Sequence, residues 1–237
     1  MPTPNRTRVR QYFKSFLKKI PVSETIFTKA IALRYQRSLN TKGFYRVQPA
    51  TNGLPEFGLY TDVRGLGQLS KVRGRYEPHV QRLLVEECSA ESTFWEVGAG
   101  WGFFSLALAP LVSNVVSFEG VPGRVANIRQ SVQQNGYKNI QIVDGIVGDN
   151  ISLAEFSPAD VALMDVDGAE TRIVQEEYEG VTAVPLWIIE LHEPGLRNVL
   201  DIADPEVVIE TMKEYGYKIR TLGYKKVGNY HIVARRT

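Results

Sequence analysis

Cysteine is nearly absent from this chain. One residue of 237, Cys88, excludes a disulfide framework and a cysteine metal centre. It falls in a helical pattern and reads as a half-buried helix residue, compatible with a reducing compartment. No apolar run approaches the roughly 18 residues of a membrane span. A signal-peptide core with a cleavage site is also missing, so export is not expected. Internal repeats and low-complexity segments are lacking, and the acid content is too low for a salt-adapted proteome. What remains is ordinary for a globular protein, with 43% hydrophobic and 23% charged residues. The length suits one α/β domain with an extension.

The formal net charge of +2 conceals an asymmetry. Residues 1–46 carry eleven Lys or Arg and one acid, Glu24, hence +10, and residues 47–237 carry the balancing −8. Tyr12, Phe13, Phe16, Leu17 and Ile20 recur at helical spacing, with Arg10, Lys14 and Lys18 on another face. Ser23 can cap a second helix carrying Ile26, Phe27, Ala30 and Ile31. A basic amphipathic extension over 1–46 is therefore expected before a domain over 47–237. Its apolar face packs on that domain or, through residues 8–34, lies on an anionic membrane surface. Nucleic acid is the less favoured neighbour. The expected location is cytoplasmic, either free or peripheral on the inner membrane face.

Six glycines between Gly43 and Gly74 predict irregular strands and turns. A helix over Arg73–Cys88 follows, with Val80, Leu83 and Leu84 inward and His79 at its exposed start. From Thr93 strands and helices alternate. Strands are expected at Thr93–Val97, Asn114–Phe118, Ile140–Val143, Val161–Asp165 and Leu186–Leu191. Helices are expected at Trp101–Leu111, Gly123–Asn135, Ala169–Glu177 and Pro205–Tyr215. This alternation predicts a parallel sheet with helices on both faces, and Tyr217–Arg236 closes it as an antiparallel hairpin.

FWEVGAGWGFFSLAL (Phe94–Leu108) is a strand, a glycine turn and a helix. Gly98, Gly100 and Gly102 follow G-x-G-x-G, and such a turn lets the backbone approach a ligand closely. Glu119 ends the second strand, where an acid can accept hydrogen bonds from both hydroxyls of a ribose. Those features suit NAD or S-adenosylmethionine (SAM). Three others favour SAM. The third glycine comes one residue before its place in the dinucleotide fingerprint. Glu96 can meet a cationic amino group, and the closing hairpin is antiparallel. On these grounds the domain resembles the class I methyltransferases.

The blocks EVGAGWGFFSLAL, VVSFEGVPG, ADVALMDVDGAE and PLWIIELHEPG are similar, in order and spacing, to those of the FkbM-type methyltransferases over about Tyr76 to Gly195. Glu96, Gly100 and Asp167 depart from that family's usual Asp, Asn and Glu. The resemblance implies a doubly wound, Rossmann-like sheet of seven strands. It implies that Glu96, Gly98, Gly100 and Gly102 hold the methionine portion of SAM and Glu119 its ribose. Asp144, Gly145 and Ile146 would lie near the adenine, Asp144 being equally readable as a solvated loop residue. Glu77 matches the family's Tyr-Glu pair, and Trp101 walls the pocket.

In the implied fold the ends of strands four and five bring Asp165, Asp167, Glu190 and His192 to the methyl position. His192 is the expected base with Glu190 orienting it and Asp165 beside them. Alternatively, Asp165 and Asp167 bind Mg²⁺. Glu170 is read as a helix-dipole residue. Neither N-P-P-Y nor D-P-P-Y follows strand four, which ranks amino acceptors in nucleic acids down. The expected activity is SAM-dependent O-methylation of a hydroxyl on a sugar, glycan or small metabolite. The alternatives are an RNA 2′-O-methyltransferase holding RNA with the basic arm, and a non-catalytic SAM-binding module.

Overall fold

The computed structural model describes residues 41–63, 66–193, 203–223 and 229–236. The two amphipathic helices expected before residue 40, with their proposed membrane or nucleic-acid contact, lie outside the described residues. The first element, β1 (Thr41–Val47), runs across position 46 and pairs antiparallel with β2 (Phe57–Val63). Residues 41–46, counted with the basic extension, thus belong to a regular hairpin, as does part of the stretch from Gly43 where irregular strands and turns were expected. A short helix α1 (Leu66–Val72) follows, which the glycine-rich composition had hidden.

The domain then runs α2 (Pro78–Glu87), β3 (Thr93–Val97), α3 (Phe103–Leu108), β4 (Asn114–Glu119), α4 (Pro122–Asn135) and β5 (Ile140–Asp144). It continues with a 3₁₀ turn at Leu153–Glu155, β6 (Val161–Met164), α5 (Glu170–Glu176), α6 (Tyr178–Ala183) and β7 (Leu186–His192). It closes with α7 (Pro205–Glu214), β8 (Tyr217–Leu222) and β9 (Asn229–Arg236). The helix expected to end at Glu177 breaks there, and α6 follows it. Glu177 turns its carboxylate to the 3₁₀ turn, accepting from Leu153 N and Ser152 Oγ at 2.8 Å each.

Seven strands form one sheet in the order β5-β4-β3-β6-β7-β9-β8. β5, β4, β3, β6 and β7 are parallel, while β9 runs antiparallel to both β7 and β8. β6 (VALM) and β7 (LWIIELH) are buried at every position. Unbroken apolar runs are what a parallel sheet covered on both faces requires. Alternation divides them between two cores: Trp95, Trp187 and Ile189 face α5 and α7, whereas Phe94 and Ile188 face α2 and α3. The strand order reverses at β3, with β4 on one side and β6 on the other. A doubly wound sheet opens its ligand crevice at the carboxyl ends of the strands at such a switch.

The β1–β2 hairpin packs against α3 and the C-terminal end of α4. Asn135, the last residue of α4, accepts from Gly58 N and donates to Gly58 O, both at 2.7 Å. Ser131 Oγ accepts from Tyr60 N at 2.8 Å, and the Phe57 ring meets Phe103 edge-on at 5.4 Å. Between α1 and α2, Gln81 Nε2 donates to Gly74 O at 3.0 Å and Tyr76 O at 2.6 Å. That side chain fixes the turn carrying Tyr76 and Glu77.

Candidate active site

At the end of β3 the chain turns through Gly98, Gly100 and Gly102, whose φ angles are 84°, 59° and 73°. Only glycine adopts such values without strain. Gly98 N and Ala99 N both donate to Phe118 O, so the loop starts pinned to β4. Gly100 N donates to Glu119 Oε2 at 2.6 Å, and Glu119 Oε1 accepts from Val121 N at 2.8 Å. One carboxylate at the tip of β4 therefore ties two loops together. Burial raises the Glu119 pKa, against the pull of the Val121 amide, Arg124 and the Gly100 amide.

Glu96 lies beneath the loop. It accepts from Ser105 N at 2.8 Å, Ser105 Oγ at 2.5 Å and Phe104 N at 3.4 Å. Two of these donors are amides of the first turn of α3, which the helix itself leaves unpaired. Burial outweighs those donors and lifts the Glu96 carboxyl to about 7.

Two cavities flank the loop. One, of about 390 Å³, runs past Glu119, Gly145, Ile146, Asp149 and Arg172. The other, of about 300 Å³, is walled by Lys71, Tyr76, Glu96, Gly100, Trp101 and Phe104. Gly98, Arg124, Asp165 and Asp167 belong to both. Together they have the size of a small-molecule site. Trp101 stands between two cations, with Lys71 Nζ 5.7 Å and the Arg124 guanidinium 5.0 Å from its ring centroid. Lys71 Nζ also lies 3.2 Å from the Tyr76 ring centroid. Burial lowers its pKa, opposed by the charges of Asp165, Glu77, Glu96 and Glu190.

Behind the junction the tips of β6 and β7 meet. Asp165 Oδ2 accepts from Tyr76 OH at 3.3 Å. His192 Nε2 faces Asp165 at 3.8 Å, Asp167 at 3.9 Å and Glu190 at 3.9 Å. Its Nδ1 is 2.9 Å from Glu170 Oε1, which also accepts from Val166 N and Gly168 N. Glu170, expected as a helix-dipole residue, thus also accepts from two loop amides and orients His192. Burial acts to lower the His192 pKa, but Glu170, Asp165 and Asp167 raise it overall. Glu190 is buried beside Asp165 and Glu77, which pushes its carboxyl up to about 10. Asp165 is raised too, by burial first and then by Glu77.

The expected residues divide into three groups. Glu96, Gly98, Gly100, Trp101, Glu119, Gly145, Ile146, Asp165 and Asp167 line the cavities. Gly102 shapes the loop as the residue before α3. Glu190 and His192 lie behind Asp165 and line neither cavity. Four readings are corrected. Asp144 is exposed and turned to Arg129 NH2 at 3.3 Å, away from the cavity that Asp149 reaches. Glu77 faces β9, with Oε2 3.3 Å from His231 Nε2. His79 is no surface residue either, its Nε2 lying 3.2 Å from His231 Nδ1. The Mg²⁺ reading of Asp165 and Asp167 does not suit this geometry. Both carboxylates already face the His192 imidazole, and Mg²⁺ demands oxygen ligands with waters. Lys71, Arg124, Asp149 and Arg172 lie outside the motif blocks and were not singled out in sequence, and Tyr76 entered only as the partner of Glu77 in the Tyr-Glu pair.

No family model matches the chain. A curated relative, protein-L-isoaspartate O-methyltransferase 1 of Syntrophobacter fumaroxidans, is 25% identical over 154 residues. The match covers 62% of this chain and 64% of the relative, so the chain spans less than two thirds of its length. Among solved structures, a precorrin-6y C5,15-methyltransferase from Geobacter metallireducens aligns with a TM-score of 0.53 at 16% identity, covering 69% of this chain and 89% of that one. The fold is that of the class I SAM-dependent methyltransferases. An rRNA methylase from Streptococcus thermophilus shares this methyltransferase fold at TM-score 0.52 and 14% identity, over 66% of this chain and 93% of that chain. TYW2 of M. jannaschii, solved in complex with AdoMet, does so at 0.51 and 16%, over 79% and 84%.

Proposed function

We propose that the protein is a SAM-dependent O-methyltransferase acting on a hydroxyl of a sugar, glycan or small metabolite. The observation that carries this reading is the junction of the two cavities at Gly98 and Asp165, above the switch in strand order. In it Glu119 would accept from the ribose hydroxyls, with Gly145 and Ile146 at the adenine. The Gly98–Gly102 backbone and Glu96 would face the methionine portion. When bound, SAM supplies an electrophilic methyl group on a sulfonium sulfur.

The chain's own residues would do the rest. Asp165, alone of the three expected catalytic groups, reaches the cavities. It would take the acceptor's proton on a carboxylate oxygen as the methyl group leaves sulfur for the acceptor oxygen. His192 and Tyr76 would hold Asp165 in place, and Glu170 would hold His192. This moves the base from His192, where sequence put it, to Asp165. Asp165 and Asp167 at the junction disfavour an anionic acceptor, so a neutral hydroxyl fits better than a carboxylate. The name of the curated relative, itself an O-methyltransferase, supports oxygen as the target.

A second reading is favoured by the +10 charge of residues 1–46. An RNA 2′-O-methyltransferase would use that arm as a tether and lose activity steeply with salt. Release of S-adenosylhomocysteine (SAH) separates the two, measured with sugar and small hydroxyl acceptors and with RNA. Turnover on the former, insensitive to moderate salt, is expected. Turnover confined to RNA would replace the first reading by the second.

A further inference from the structure

A second cluster of ligating side chains lies outside both cavities, between α2 and the β7–β9 pair. Glu190 of β7 and His231 of β9 are directly opposite in antiparallel register. Opposed residues put their side chains on one face of a sheet, with Cβ atoms about 5 Å apart. Glu77 comes to the same face from the residue before α2, held at φ 43° and ψ 66°. One ligand atom from each of Glu77, Glu190 and His231 lies within 4.8 Å of the other two.

The imidazole supplies the deciding observation. His231 is 5% exposed, and its buried Nε2 has no hydrogen-bond partner in good geometry. That atom is aimed between two carboxylates, 3.3 Å from Glu77 Oε2. Its other ring nitrogen is 3.2 Å from His79 Nε2, which can take the place of the outer acceptor that orients a metal-bound imidazole. Asn229 Nδ2 donates to Glu190 Oε1 and so orients that carboxylate. We propose that Glu77, Glu190 and His231 bind a first-row transition cation of the Zn²⁺ class. One imidazole with two carboxylates suits such an ion, whereas Mg²⁺ calls for oxygens and water.

Its role follows from where the ligands sit. None of them lines a cavity, so the ion stays clear of the proposed methyl donor and acceptor. It fastens the start of α2 to β7 and β9. Tyr76, next to Glu77, thereby keeps its hydroxyl on Asp165. The ion is a structural clamp behind the site, and the proposal stands apart from the methyl-transfer reading.

The test uses the full chain made without a polyhistidine tag. Metal content is measured after gel filtration, and the protein stripped with chelator is titrated with Co²⁺ and followed by its visible absorption. About one ion per chain is expected, with His231→Gln and Glu77→Gln abolishing saturable binding and His192→Gln retaining it. Should those two variants fail to fold by circular dichroism, His79→Ala tests the outer partner and should weaken Co²⁺ binding about 10- to 100-fold. Absence of both retained metal and saturable Co²⁺ binding in the wild type would overturn the proposal. So would loss on His192→Gln with retention on His231→Gln, which would assign the ion to Asp165, Glu190 and His192. SAH binding by the stripped protein, measured alongside, reports on the methyl-donor site separately.

Discussion

Gly98 sits directly under Asp165: a Cβ at residue 98 would stand 1.9 Å from the Asp165 carbonyl oxygen. The first glycine of the loop is thus required by the neighbouring strand tip as well as by its own φ of 84°. Backbone strain of this kind costs about 1–3 kcal/mol before any clash is counted. Gly98→Ala should therefore destabilise the fold by at least about 3 kcal/mol in urea unfolding. It should also abolish SAH binding, because both cavities meet at that residue.

Glu119 and Asp144 end adjacent strands and face each other in register, yet they have opposite expected importance. Glu119 holds two loop amides and lines a cavity, whereas Asp144 makes an exposed ion pair with Arg129. A hydrogen bond involving a charged group contributes about 1.5–3 kcal/mol, and 1.4 kcal/mol is a factor of about ten in affinity. Glu119→Ala should weaken SAH about 10- to 100-fold by calorimetry. Asp144→Ala should leave affinity unchanged and cost at most about 1 kcal/mol of stability. Equal losses in both would contradict the placement.

Glu96 carries a pH dependence of defined sign. Its folded carboxyl titrates at about 7 against an ordinary value of 4.5. As pH rises from about 4.5 the unfolded chain loses its proton first, so stability is lost until the pH passes about 7. The difference amounts to about 3 kcal/mol at this one buried group. Urea unfolding at pH 5 and pH 8 should show wild type losing more stability than Glu96→Gln, whose amide keeps an acceptor for the Ser105 amide without the charge. Identical pH slopes would contradict the assignment.

Much of this was legible in sequence, for physical reasons. β3, β4, β6 and β7 are largely apolar and buried, as a parallel sheet covered on both faces requires, so they stood out within a residue or two. The half-exposed β5 was read from the strand–helix alternation. The glycine spacing and Glu119 are local to the nucleotide cradle and could be read in place. Asp165 was found because it ends an apolar run. Long-range partners left no such trace. Nothing near Lys71 or Tyr76 tells that α1 and the turn before α2 set them against the loop. Nothing around Glu77, His79 or His231 announces that residues about 150 positions apart share one pocket. Asp144 was misjudged because strand-end position says nothing of which way an exposed carboxylate turns.

The catalytic proposal separates Asp165 from His192. Asp165→Asn should cut methyl transfer by about 10²- to 10⁴-fold, the range of a lost general base. SAH affinity should stay within about threefold, less than 1.4 kcal/mol. His192→Gln should lower turnover less, acting through the position of Asp165. If Asp165→Asn turns over normally while His192→Gln does not, the base is His192.

Ligand binding at the glycine cradle bears on everything above. Thermal unfolding of the full chain is to be followed with SAH, SAM and NAD. A ligand at one hundred times its dissociation constant adds about 2.7 kcal/mol of stability. Tm should rise with the concentration of SAH and of SAM, by less in Glu119→Ala at the same concentration, and should not rise with NAD. No rise with either SAH or SAM, or a rise with NAD alone, would contradict the account.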